Sequence, residues 1–372
     1  MTNIRTITCP TDGIGKDPND FRDDPKFIQK LNQQLEKPTS VFDWTTDFVL
    51  TDEEAEMISE PEWIIENLVI QGHVIAIVAE PNGGKTTLFF YLAGEMAKCG
   101  YQVFYVNADI SGGDAKSMVT SAKEDGFTLM LPDMAGQSME QVVTRLQEMN
   151  DSGGNFESII FIFDTLKKMT DVISKSKAKE LYRLLRGLSA KGMTIILLAH
   201  TNKYKDAEGN PVFEGTADLR SDVDELIYLI PEKQPDSSMI VSTKPDKVRG
   251  AFTPISFELS PHREVRRLEN YVDTAASVSQ AIQMEKDATV IEAITESIQK
   301  GQFKQSAIVA FCKEHGFGWR TTESVLKRYN SGNQTGQKEL WRREKAMEKN
   351  AWVYQLTEQF HPPIEGGECE NW

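Results

Sequence analysis

Lys85 and Thr86 close the stretch Ala79-Glu80-Pro81-Asn82-Gly83-Gly84-Lys85-Thr86-Thr87, which follows the apolar run Val74–Ala79 and leads into a helical pattern (Phe89, Phe90, Leu92, Ala93, Met96). An ammonium and a hydroxyl side by side, directly after two glycines at a strand-to-helix turn, suit the gripping of a polyphosphate. Successive backbone N–H groups at such a helix start form a concave donor site for phosphate oxygens. Lys85 would reach the β- and γ-phosphates, and the Thr86 hydroxyl would hold Mg²⁺. The position usually held by the first glycine of this pattern is Ala79, whose methyl fits the strand exit if φ stays negative. The spacing therefore predicts a bound nucleoside triphosphate.

Phosphoryl transfer also needs a metal carboxylate, a positioned water and neutralisation of developing charge. Asp164 ends the apolar run Ile159–Phe163, where a carboxylate can hold Mg²⁺ at the carboxyl edge of a sheet. Asp109 follows the run ending Val106-Asn107 and could polarise the attacking water or, instead, cap a helix starting near Asp114. Glu80, within the loop, is a second contender for the water. His200 ends the run Thr194–Ala199 and would sit near the γ-phosphate. Lys247 and Arg249 alternate between two strand patterns and so point the same way. They could stabilise γ-phosphate charge in this subunit or in a neighbour.

The elements that position these groups alternate. Strand patterns at 74–79, 102–107, 158–163 and 194–199 are separated by helical patterns at 86–98, 114–125, 138–149 and 176–190. Strand patterns at 226–230, 238–243 and 253–258 follow without long helices. Apolar strands between amphipathic helices predict an α/β fold with a mainly parallel twisted sheet and an antiparallel edge. Residues 61–261 would form this domain, 262–286 a linker, 287–358 a small, mostly helical domain and 359–372 a flexible tail. Within 287–358, two short helices surround a turn at His315-Gly316-Phe317-Gly318, and Leu340–Arg343 and Trp352–Leu356 could form two strands.

Residues 1–60 are polar, with six basic and thirteen acidic side chains and Asp-Pro, Lys-Pro and Asp-Gly breakers, and predict a weakly folded extension. The net charge of −15 argues against a general duplex-DNA binder, whereas residues 301–355 carry ten basic and five acidic side chains. An acidic whole with a basic segment is compatible with nucleic-acid contact through selected surfaces. No apolar run is long enough to span a bilayer, and the N-terminus has no secretory layout, so a cytoplasmic protein is expected. Four dispersed cysteines, without metal spacing, read as reduced.

Over about residues 61–260 these motifs resemble the RecA-like ATPases, and more narrowly the hexameric replicative helicases of the DnaB and plasmid RepA type. The resemblance rests on A-x-x-x-x-G-K-T-T at 79–87, Asn-Ala-Asp at 107–109, Ile-Ile-Phe-Ile-Phe-Asp at 159–164, Leu-Leu-Ala-His-Thr-Asn at 197–202 and Lys-Val-Arg-Gly at 247–250. It implies ATP and Mg²⁺ as cofactors, Asp109 as catalytic base in place of the usual Glu, and His200 as γ-phosphate sensor. It also implies Lys247 and Arg249 as fingers completing the site of the adjacent protomer, hence a homohexamer. The loops Thr165-Leu166-Lys167-Lys168 and Lys203-Tyr204-Lys205 would then line a channel for single-stranded DNA. Residues 287–358 resemble a winged helix, which could bind DNA or a replication protein. Two functions compete, a replicative DNA helicase motor or an ATP-switched DNA-binding regulator or loader; a recombinase-like filament protein, a third reading, lacks the expected N-terminal polymerisation segment.

Overall fold

The computed structural model describes residues 62–110, 112–169, 175–205, 211–213, 218–332, 338–346 and 351–357, with 48–56 and a few positions upstream. The chain divides into two units, Met1–Glu60 and Pro61–Trp372. In the first, one helical turn spans Asp52–Glu56; the rest of the acidic extension, and the tail 359–372, fall almost wholly outside the described residues.

The second unit is built on a ten-stranded sheet. A small hairpin, β1 (Trp63–Ile65) with β2 (Val69–Ile70), leads into β3 (Val74–Ala79), every residue of which is buried. Then come α1 (Lys85–Lys98), β4 (Gln102–Asn107), α2 (Gly112–Glu124), β5 (Thr128–Met130), α3 (Met139–Asp151), β6 (Ile159–Asp164), α4 (Lys175–Ser189), β7 (Thr194–Lys205) and β8 (Pro211–Phe213). A helical turn at Asp218–Asp222 precedes β9 (Glu225–Lys233), β10 (Met239–Lys247), β11 (Ser256–Leu259) and β12 (Val265–Arg267). The sheet order is β12-β11-β10-β9-β3-β7-β6-β4-β5, with β8 against β7. From β9 through β3 to β5 neighbours run parallel; β9 to β12 are antiparallel.

Alternation along β3 divides the core. Val74, Ala76 and Val78 pack with α3 and α4 residues such as Leu146, Leu181 and Leu185. Ile75, Ile77 and Ala79 pack with Leu88, Phe89, Leu92 and Met96 of α1. A central strand covered on both faces must be apolar throughout, which explains its uninterrupted Val and Ile run.

Three expectations change. The strand expected at 253–258 begins at Ser256, because Pro254 has no N–H to donate and the Ile255 N–H goes to the Thr243 hydroxyl at 2.8 Å. The strand expected at 194–199 runs on to Lys205, where it pairs with β8. The stretch read as a linker, 262–286, holds β12 and the first half of α5 (Thr274–Gln299), a continuous helix. Asp273 caps α5 by accepting the Ala276 N–H at 3.0 Å.

The second half of α5 packs with α6 (Gln305–Glu314), α7 (Trp319–Arg328) and the hairpin β13 (Trp341–Lys345) with β14 (Trp352–Leu356) around Ile294, Ile308, Leu326 and Trp341. A polar pin joins the helices: Asp287 of α5, buried, accepts from Arg328 and from the Tyr329 hydroxyl at 3.0 Å. Burial first, and then Asp287, push the Tyr329 phenol up to about 12. Among the described residues no helix is long and apolar enough to cross a membrane.

Candidate nucleotide-binding site

The parallel strands bring their carboxyl ends to one edge. Ala79 lies beside His200, and Asn107 beside Asp164. Beyond Ala79 the chain turns through Asn82, with φ of 59°, and Gly84, with φ of 81°, before α1 begins. At Gly83 a Cβ would come within 2.9 Å of the Glu80 carbonyl, and at Gly84 within 2.7 Å of the Leu259 side chain. Both glycines are therefore demanded by the path of the loop. Gly84 offers no side-chain cap, so the first N–H groups of α1 stay available to an anion.

Lys85 folds back over this loop. Its ammonium donates to the carbonyls of Ala79 at 3.0 Å and Glu80 at 3.1 Å, and to Nδ1 of His200 at 3.2 Å. It is only 5% exposed. Burial pulls its pKa down to about 8, with Asp164 and Glu80 partly offsetting that. Asp164 is buried, and its Oδ2 accepts from the Thr86 hydroxyl at 2.7 Å and the Tyr105 hydroxyl at 2.9 Å. Tyr105 was not singled out by sequence reasoning. The signal was there: a phenol inside an apolar strand must find a partner.

Asp109 stands in the cavity wall, exposed, 3.3 Å from Lys168, and its N–H is held by the Asn107 side chain at 2.9 Å. An open cavity of ≈ 590 Å³ is lined by Asn82 to Thr87, Asn107, Asp109, Asp164 and His200, and across from them by Ser237, Met239, Leu259, Ser260 and Arg263. That second wall, from the antiparallel strands, was also missed; Arg263 lies in the stretch read as linker. A larger cavity of ≈ 720 Å³, between α3 and β4–β6, is mainly apolar and contains none of these groups.

The structure separates the two remaining candidates. Lys247 pairs with Leu226 at the amino end of β9, whereas Met239, at the other end of β10, lines the cavity. Eight residues of strand put roughly 25 Å between them, so Lys247 and Arg249 cannot serve the triphosphate of their own chain. Lys247 donates to the carbonyls of Arg220, Ser221 and Val223, and Arg249 meets Asp224 at 3.1 Å. The side chains of Lys203, Tyr204 and Lys205 lie outside the described residues; Lys167 is exposed.

The residues present fit a hard divalent cation. Oδ2 of Asp164 is taken by two hydroxyl donors, leaving Oδ1 without a hydrogen bond among the described residues. One carboxylate and one hydroxyl beside a phosphate site are the usual protein share of Mg²⁺ ligation, the remainder being water and phosphate oxygen. When bound, Mg²⁺ would neutralise charge on the β- and γ-oxygens. Lys85 would add its charge there, the α1 N–H groups would hold the phosphates, and Asp109 would orient the attacking water. His200, bonded to Lys85, links that ammonium to β7 where it passes the phosphate loop.

A buried strand, a glycine-bearing phosphate loop, a lysine over it and a carboxylate at a nearby strand end define a P-loop nucleotide-binding domain on a mainly parallel α/β sheet. In keeping with that, a model of the AAA domain matches residues 38–206. Solved structures similar to this chain include the flagellar accessory protein FlaH from Methanocaldococcus jannaschii, at 15% identity and a TM-score of 0.41, covering 55% of this chain and 92% of that one. A second solved structure, an ATPase domain, matches at 12% identity and a TM-score of 0.40, covering 53% of this chain and 85% of that one. No curated protein sequence matches the chain.

Proposed function

We propose that the chain is an ATP-driven motor acting on single-stranded DNA, of the replicative helicase kind, and that it works as a ring, most simply a homohexamer. The observation that carries this reading is the placement of Lys247 and Arg249. They occupy the end of the sheet opposite their own Lys85, on a hairpin that leaves Arg249 exposed. An exposed guanidinium at a sheet end remote from its own triphosphate fits a neighbour's site, whereas Lys247, its three donors given to carbonyls, fixes the hairpin that carries it. Lys167, exposed just beyond Asp164, fits a channel loop gripping a phosphate backbone. Three helices and a hairpin with exposed Arg320, Lys327, Arg342 and Lys345 form a winged-helix-like module for DNA or a replication protein.

The test is hydrolysis and strand displacement on a forked substrate. A motor hydrolyses ATP faster with single-stranded DNA and separates the fork; Lys85→Ala abolishes both. Robust hydrolysis without displacement would favour a DNA-bound switch or loader instead.

A further inference from the structure

At the amino end of β9 a buried carboxylate meets two arginines. Asp224, 2% exposed, accepts the Val74 N–H through Oδ2 at 2.9 Å, and one Nη of Arg186 reaches both its oxygens, at 2.7 and 2.8 Å. The carboxylate is thus fixed in position and plane before Arg249 enters the account. Arg249 meets Oδ1 through Nε at 3.1 Å and keeps 57% of its side chain exposed. Arg249 donates no hydrogen bond among the described residues, so this contact is an ion pair that leaves its N–H donors uncommitted. The preceding hairpin residues are tied down too: Asp246 by Arg220 Nε at 2.7 Å, and Lys247 by three carbonyls.

We infer that Asp224 is a positioning residue for Arg249, holding the guanidinium by its charge so that the uncommitted N–H donors are presented to the triphosphate of a neighbouring copy. This rests on the second-copy reading given above. The chemistry is specific to arginine. The guanidinium is a rigid planar fork of donors, so a fixed carboxylate can anchor its charge and still leave N–H pairs that match phosphate oxygens. The Asp224 charge is shared between Arg186 and Arg249, so the pair retains a net positive charge to offer. A carboxylate that merely sequestered Arg249 would instead take its N–H groups in hydrogen bonds, as Asp224 takes those of Arg186.

The experiment uses full-length chains carrying Asp224→Asn, Arg249→Ala or Lys85→Ala, alone and in equimolar mixtures, with ATP hydrolysis and ATP affinity measured for each. Asp224→Asn alone is expected to bind ATP as the wild type does and to lose on the order of a hundredfold in kcat, the cost of a misaimed group. Mixing it with Lys85→Ala should restore hydrolysis, because the Lys85→Ala copy supplies a correctly held Arg249 to an intact phosphate loop. Mixing it with Arg249→Ala should restore none. Wild-type or faster hydrolysis by Asp224→Asn would overturn the assignment. So would a loss that Lys85→Ala does not restore although it restores Arg249→Ala. If Lys85→Ala restores neither, the second-copy reading itself fails, and this assignment with it. Should Asp224→Asn not fold, Arg186→Gln keeps the carboxylate but frees its plane; a severalfold, restorable loss is expected there, and no loss would overturn the assignment.

Discussion

The Tyr105 hydroxyl donates to Oδ2 of Asp164 across 2.9 Å, the same oxygen that receives the Thr86 hydroxyl. Two donors on one oxygen fix the plane of the carboxylate and keep the other oxygen for the metal side. Outer partners of this kind typically set metal affinity by tenfold or more. Tyr105→Phe is therefore expected to raise the Mg²⁺ concentration needed for half-maximal hydrolysis by about tenfold. Metal-free nucleotide binding should stay unchanged. A Mg²⁺ titration of hydrolysis and of fluorescent-nucleotide binding checks both, and an unchanged midpoint would remove Tyr105 from the site.

Lys85 makes nucleotide binding depend on pH. Its pKa is held at about 8 by burial, against 10.5 ordinarily. The folded chain therefore bears the full cost of the buried charge below pH 8 and loses that cost as pH rises toward 10.5, so this residue adds stability with pH in that window. A triphosphate anion favours the charged form, so binding above pH 8 takes up a proton and weakens by up to about tenfold per pH unit. Calorimetry at about pH 9 in buffers of different ionisation heat should show uptake approaching one proton. Lys85→Arg, which stays charged, should show none.

Gly84→Ala combines a positive φ with a Cβ placed 2.7 Å from Leu259. The left-handed conformation alone costs about 1–2 kcal/mol for an L-residue with a side chain. Urea unfolding should register that loss, and the stabilisation that MgATP gives the wild type should largely vanish. Wild-type stabilisation by MgATP in this variant would mean that the loop tolerates a side chain there.

In the C-terminal module, Asp287→Ala strands Arg328 and the Tyr329 phenol without their shared acceptor. Breaking such a buried pair costs about 3 kcal/mol, whereas Tyr329→Phe, which removes one hydrogen bond, should cost about 1 kcal/mol. Limited proteolysis within residues 287–358 would read the difference.

What was legible in the sequence is what breaks an apolar pattern at a strand end. Asp164 and His200 stand out because each terminates a run of Ile, Leu and Phe, and Lys85-Thr86 because glycines precede them. Tyr105 sits inside β4, where its β-propensity explained it and only its buried hydroxyl asked for a partner. The Arg186–Asp224–Arg249 cluster was not legible: its members come from a helix, a loop and a hairpin, and no local spacing joins them. The linker reading failed at Ala275-Ala276-Ser277-Val278-Ser279 because α5 has no clean apolar stripe: its first half lies against the sheet and its second half inside the terminal module. The capping Asp273 was the cue that this stretch is helix.

That undivided helix has a mechanical consequence. At one end the Thr274 hydroxyl is bonded to the Ile230 carbonyl of β9, beside the strands that wall the nucleotide cavity; thirteen positions on, Asp287 clasps the terminal helices. A helix of 26 residues is roughly 39 Å long. A tilt of about 5° at the sheet would swing its far end by about 3 Å, given the 1.5 Å rise per residue. Any rearrangement of β9 and β10 would thus reach the terminal helices enlarged by the length of α5.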